Sequence, residues 1–184
     1  MIYVILGKTA SGKTTIIDYI SKEKWINPIV TYTTRPPRKG EKDGETYHFV
    51  TKEEFEALIS SGFFAEYRSY KTIDGLWYYG SSFDSYDTDE DKLIILNPEG
   101  YYQIKKYLNS DVIKSIYIYS NIKTIRNRLQ KRGDKKEEAE RRIESDLADF
   151  KGLEYEVDKI IYNNEDNDID EVVAKVLSYI SENK

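Results

Sequence analysis

Apolar residues follow two alternating patterns along the chain: short unbroken runs, and stretches where they return every three or four positions. Ile2 to Leu6 is an unbroken run ending at Gly7, which predicts a buried strand. Lys13 to Ile20 then has helical spacing. Leu93 to Leu96 is a second aliphatic run, as expected of a parallel strand covered on both faces. Asn97 and Pro98 follow it as an N-cap and a proline at the first helical position. Ile113 to Tyr119 predicts a further strand. Asn121 to Arg132 predicts a helix with Ile122, Ile125 and Leu129 on one face, and Lys159 to Tyr162 the last strand. Residues 168–182 predict an amphipathic helix carrying Val172, Val173, Val176, Leu177 and Ile180. Strands alternating with helices at both ends of the chain imply a parallel α/β sheet.

The middle of the chain breaks this alternation. Ile29 to Tyr32 predicts a strand, residues 33–46 a loop with two prolines and two glycines, and Tyr47 to Val50 a short strand. Thr51 and Glu54 have capping-box spacing and open a helix through about Ser60. Phe63 to Ser69 and Trp77 to Tyr79 predict two strands joined by a turn at Asp74-Gly75. Residues 84–91, an acidic run, predict surface loop. The expectation is one domain over residues 1–184, with an inserted lobe of mixed strands at 33–83 and a charged, mobile helical lid at 128–152. No internal repeat is present.

A chain of 184 residues, 39% hydrophobic and 33% charged, suits one globular domain with a real core. The absence of cysteine excludes disulfides, thiol nucleophiles and cysteine-based zinc sites, and fits a cytoplasmic setting. No apolar run approaches the ~20 residues that span a bilayer. The opening MIYVILG has no basic segment before it, so a strand is expected there rather than a signal peptide. The net charge of −5 argues against nucleic acid as a partner. An acidic chain that handles small anions needs local clusters of positive charge, and two are present.

The first is Gly7-Lys8-Thr9-Ala10-Ser11-Gly12-Lys13-Thr14, which matches G-x-x-x-x-G-K-[ST]. Its glycines let successive backbone N–H groups point at phosphate oxygens, and the helix that follows adds its positive end. Lys13 is placed for β- and γ-phosphates, and the Thr14 hydroxyl for Mg²⁺. The pattern lies between a strand and a helix, where this mechanism needs it.

The second cluster is the loop Thr31 to Phe49. Arg35 and Arg38, stiffened by Pro36 and Pro37, make a rigid cationic hook, and guanidinium groups pair bidentately with phosphate. His48, the single histidine, is expected to be structural.

These residues resemble the guanylate kinase family. Its T-T-R-x-P-R-x-G-E-x-x-G-x-x-Y-x-F run is present as Thr33 to Phe49. The likeness continues through Gly62-Phe63-Phe64-Ala65-Glu66-Tyr67, Tyr78-Tyr79-Gly80-Ser81, Arg128 to Gly133 and Lys159 to Asn164. It implies a three-layer P-loop kinase with a parallel core sheet, an acceptor-binding lobe and a helical lid. The implied reaction is transfer of phosphate from ATP, with Mg²⁺, to GMP or dGMP.

The donor nucleotide would be held by Gly7, Lys8, Thr9, Ala10, Ser11, Gly12, Lys13, Thr14 and Thr15, with Asn163. Arg35, Arg38, Tyr47 and Tyr79 would bind the acceptor phosphate. Glu66 would read guanine, its two oxygens matching the N1–H and N2–H₂ donors. Thr31, Ser81 and Asn97 would sit toward the base. Lys13, Arg128, Arg132 and Arg142 would neutralise the transferring group. The family carries two aspartates where Ile95 and Asn97 stand here. A ribose phosphate kinase of the same shape and a non-catalytic binding module of this family are the alternatives, and a monomer and a homodimer are both open.

Overall fold

The computed structural model describes residues 1–23, 26–38, 40–72 and 75–183. Among them, a parallel sheet carries the core. Its strands are β1 (Ile2–Leu6), β2 (Asn27–Pro28), β7 (Lys92–Ile95), β8 (Ile113–Tyr119) and β9 (Lys159–Tyr162), in the order β2-β7-β1-β8-β9. Every pairing in it is parallel. Alternation along β1 sends side chains to two faces. Tyr3 and Ile5 pack with Ile16, Ile17 and Ile20 of α1 (Lys13–Lys22) and with Val172 and Val176 of α6 (Ile169–Glu182). Ile2, Val4 and Leu6 face the other way, onto Tyr101 and Ile104 of α3 (Pro98–Ile104) and onto Phe150 and Leu153. Three layers result, as expected.

A second sheet, ordered β4-β3-β6-β5, is mixed. It holds β3 (Thr31–Thr33), β4 (Tyr47–Phe49), β5 (Phe64–Thr72) and β6 (Gly75–Ser82). Its core is aromatic. Phe55 of α2 (Lys52–Ser60) stacks on Phe64 at 4.4 Å between ring centroids and on Tyr78 at 5.2 Å. The capping box at Thr51 and Glu54 forms as predicted. His48 packs its ring 4.6 Å from Tyr32.

Three expectations are corrected. Where a single strand is expected at Ile29 to Tyr32, the chain forms two short strands in different sheets, β2 at Asn27–Pro28 and β3 at Thr31–Thr33. Ile29 N–H still bonds Leu93 O at 2.7 Å, and three residues later, at Tyr32, the chain pairs with β6. An apolar run cannot reveal which sheet its backbone joins. The acidic run 84–91 is not all surface loop: Phe83–Tyr86 forms a 3₁₀ turn that buries Tyr86, whose hydroxyl lies 2.6 Å from Ser81 Oγ. The hairpin strands are longer than predicted. Asp74 of the expected turn lies outside the described residues, as does Lys39 of the cationic loop.

The charged segment folds as α4 (Ile122–Arg132) and α5 (Lys136–Asp149). These helices share a small core of Ile125, Leu129, Ala139 and Ile143, against which Ala10 of the phosphate loop packs.

Candidate active site

The loop between β1 and α1 closes tightly around its own backbone. A side chain at Gly7 would come within 2.5 Å of Ser11 Oγ and 2.8 Å of Ile118 O, so only glycine fits. Gly12 adopts φ +97°, the left-handed region that glycine enters freely. Groups from outside fix the loop. Asn163, buried after β9, donates from Nδ2 to Ser11 O at 2.8 Å. Arg128 of α4 donates to Ala10 O at 3.2 Å and to Asn163 Oδ1 at 3.2 Å. Lys13 Nζ donates to Gly7 O at 2.6 Å and Lys8 O at 2.9 Å. Burial lowers the Lys13 ammonium to about 8; Asp146 opposes that shift and Arg68 adds to it.

Asp146 reaches the loop from α5. Its Oδ2 accepts the Thr9 N–H at 2.5 Å. Burial raises its carboxyl above the usual range, while the Thr9 amide and Lys13 pull it back.

A cavity of about 670 Å³ runs from this loop to the second sheet. Gly7, Thr9, Ala10, Lys13 and Thr14 line one end. Thr31, Arg35, Arg38, Tyr47, Glu66 and Tyr79 of the second sheet and its loop line the other, with Asn97 and Ile95 at the end of β7. Arg132 and Arg142, from α4 and α5, line it as well. Lys8, Ser11, Gly12, Thr15, Ser81, Arg128 and Asn163 are not on its wall. Of these, Ser11, Ser81 and Asn163 are buried behind it.

The cationic hook is braced from within. Arg35 is buried. It donates to Glu41 Oε1 at 2.8 Å and to Pro36 O at 2.8 Å, and its guanidinium lies 5.4 Å from the Tyr47 ring centre. Glu41 Oε2 also accepts the Arg38 N–H at 2.6 Å, which sets the turn of the loop, while the Arg38 side chain is exposed.

Glu66 is 3% exposed. Ser81 Oγ donates to its Oε1 at 2.7 Å, so Ser81 orients Glu66 from behind. Oε2 makes no hydrogen bond among the described residues. Burial raises the Glu66 carboxyl, opposed by Arg68 and Ser81. Asn97 caps α3: its Oδ1 accepts the Gly100 N–H at 2.8 Å and also takes Arg68 Nη1.

On α4 and α5, the arginines are held by acids. Glu138 takes Arg141 at 2.8 Å through both oxygens and Arg142 Nε at 2.7 Å, and these bonds hold its carboxyl down at about 2. Arg132 pairs with Asp134 at 2.5 and 2.8 Å.

Sequence reasoning passed over Arg68, Tyr70, Arg141 and Asp146, all of which line the cavity. A signal for two of them was present. Glu66, Arg68 and Tyr70 alternate along β5 and so share its face toward the cavity.

A sequence model described as Guanylate kinase matches residues 1–183. The guanylate kinase of Fusobacterium nucleatum is 32% identical over 172 residues, covering 89% of this chain and 88% of that protein. That of Thiobacillus denitrificans is 31% identical over 184 residues, covering 95% and 84%. Among solved structures, the guanylate kinase from Anaplasma phagocytophilum is similar with a TM-score of 0.73. It is 24% identical and the match covers 99% of this chain and 85% of that one, a likeness of fold.

Proposed function

The chain belongs to the guanylate kinase family, and on that premise we propose how its cavity carries out ATP-dependent phosphorylation of GMP. The observation that carries the reading is one cavity walled at one end by Lys13 and Thr14 and at the other by Arg35, Arg38 and Glu66. A phosphate donor and a phosphorylated acceptor fit such a space end to end.

The loop amides and Lys13 bind the ATP phosphates. Arg35 and Arg38, with Tyr47 and Tyr79, hold the acceptor phosphate, and Glu66 meets the base. An acceptor phosphate oxygen attacks the γ-phosphorus in line, the bond to the β–γ bridging oxygen breaks, and ADP leaves. That oxygen is already ionised near neutral pH, so no protein base is needed and catalysis is positioning and charge stabilisation. Arg132 and Arg142 supply positive charge from the lid, and lid closure keeps water away from the γ-phosphate. Arg128 and Asn163 act one step back, by holding the loop.

Among the described residues no three acidic, His or Cys side chains gather to cage a metal, while the exposed Thr14 hydroxyl lines the cavity. This donor set suits Mg²⁺, which retains waters and takes substrate phosphate oxygens with one or two protein ligands. When bound by Thr14 and the phosphates, Mg²⁺ neutralises phosphate charge. No helix among the described residues is long and apolar enough to cross a membrane. A chain without cysteine suits a reducing compartment, so the cytoplasm is our proposed location.

A coupled assay of ADP formation with GMP, dGMP, AMP, CMP and ribose phosphates tests the reading. GMP or dGMP should exceed AMP by at least about a hundredfold in kcat/KM. A ribose phosphate used faster than GMP would overturn it.

A further inference from the structure

The base end of the cavity departs from a simple guanine reader in which acceptors it has left. Asn97 Oδ1 must be the atom that faces the Gly100 N–H, because only an oxygen accepts there. A carbonyl oxygen has two lone pairs, and the second is taken by Arg68 Nη1. For any ligand, Asn97 retains only its amide nitrogen, a donor. On Glu66, Ser81 already occupies Oε1 at 2.7 Å. Glu66 Oε2 is the carboxylate oxygen without a hydrogen bond among the described residues.

Beside that lone acceptor stands a cation. Arg68 Nη1 lies 3.9 Å from Glu66 Oε2, and Arg68 Nε is buried without a hydrogen bond among the described residues. The Arg68 guanidinium also stands 5.4 Å from the Tyr70 ring centre, a cation–π contact that limits its freedom. Gly100 makes this crowding feasible. A side chain there would come within 2.8 Å of both Arg68 Nη1 and Glu66 Oε2.

An acceptor next to a charged donor matches two adjacent groups on a 6-oxopurine: N1–H gives to Glu66 Oε2, and the C6 carbonyl accepts from Arg68. Guanine and hypoxanthine share both groups. The 2-amino group of guanine, on the far side of N1–H, is left to share Glu66 Oε1 with Ser81 and finds no carboxylate at position 97. Adenine presents the reverse pattern, an acceptor at N1 and a donor at C6, and so sets like against like at both atoms. We propose that Arg68 is a specificity-determining residue that pairs with the C6 carbonyl, and that the acceptor class of this enzyme is the 6-oxopurine nucleoside monophosphates, IMP as well as GMP. The inference rests on the GMP reading above and extends it.

The test is kcat/KM with saturating ATP for GMP, IMP, AMP and ribose 5-phosphate. In the unaltered enzyme IMP should fall within about tenfold of GMP, because the amino group has only an oxygen shared with Ser81 and no carboxylate of its own, a partner worth about one to two decades. A larger GMP preference overturns the inference. Asn97→Asp keeps the cap at Gly100 and adds a free carboxylate oxygen, so it should widen the GMP-to-IMP ratio by about tenfold. An unchanged ratio overturns the missing-acceptor argument. Arg68→Ala should lower GMP and IMP together by about tenfold or more and leave the KM for ATP unchanged, and Arg68→Gln, which keeps a donor, should recover part of that loss. If neither substrate responds to either Arg68 variant, Arg68 does not touch the base. Rejection of IMP with GMP still used defeats this inference alone. A ribose phosphate used faster than GMP defeats the functional reading beneath it.

Discussion

The two ends of the cavity are built on opposite plans. At the phosphate end the loop is braced by the protein itself: Asn163 holds Ser11 O, Arg128 holds Ala10 O, and Asp146 holds the Thr9 amide. Of the buried loop side chains, only Ser11 Oγ lacks a partner among the described residues. At the other end, Glu66 Oε2 and Arg68 Nε are both buried and without a hydrogen bond among those residues. A buried polar atom without a hydrogen bond is costly, which suits the proposed role of these two atoms in meeting a base. Phosphate is common to every nucleotide, and a cradle for it can be finished by the fold. A base has to be distinguished, and discrimination requires polar atoms that only the right ligand satisfies.

The contrast can be broken hardest at Lys13. Lys13→Ala should reduce kcat by roughly a thousandfold, as for loss of a donor aimed at transition-state charge, with little change in thermal denaturation. Retention of most of the wild-type rate would remove the loop from the chemistry. Next in size is Arg35→Ala, expected to weaken GMP binding by about one to two decades while an ATP analogue binds as before. Arg38→Ala should act in the same direction and by less, since Arg38 is exposed. Equal losses for both ligands in calorimetric titration would place these arginines on the donor side.

Asn163→Ala should blur the contrast from the other direction. It removes the link to Ser11 O and one partner of Arg128. ATP affinity should drop by about tenfold and the melting temperature should fall, with GMP affinity preserved. A larger loss for GMP than for ATP would mean the two ends are not separable. The smallest expected effect is that of pH. A Lys13 ammonium that titrates near 8 is mostly charged at pH 7 and mostly neutral at pH 8.5. Nucleotide binding requires the charged form, so ATP-analogue affinity should fall roughly fourfold between those values. A flat profile would contradict that account of Lys13.

Legibility followed how local the information was. The phosphate loop works through backbone amides placed by a short glycine pattern, so its strand, turn and helix were readable from adjacent residues. The core strands β1 and β7 were readable for a related reason: four or five successive apolar residues have few other uses. Tyr70 was missed because the predicted strand ends at Ser69, where the polar residues Lys71 and Thr72 hide a pairing that runs on to Gly75; Arg68 lies inside that strand, and a single arginine there looks solvated. Asp146 was missed because one carboxylate in a charged helix looks solvated until the fold brings α5 against the loop. The full use of Asn97 Oδ1 depends on an arginine from another sheet, and nothing in the local pattern of β7 and α3 reports it.

The hydrogen bond from Thr9 to Asp146 changes the meaning of an affinity measured at this loop. A phosphate oxygen that takes the Thr9 N–H has to evict a carboxylate, so binding there is an exchange of anions rather than a simple addition. The apparent constant is then the intrinsic one scaled by the fraction of molecules in which the carboxylate has let go. It understates the pull of the loop. The exchange also has a mechanical side, because the displaced group belongs to α5: each swap of anion frees or tethers a helix that carries Arg141 and Arg142.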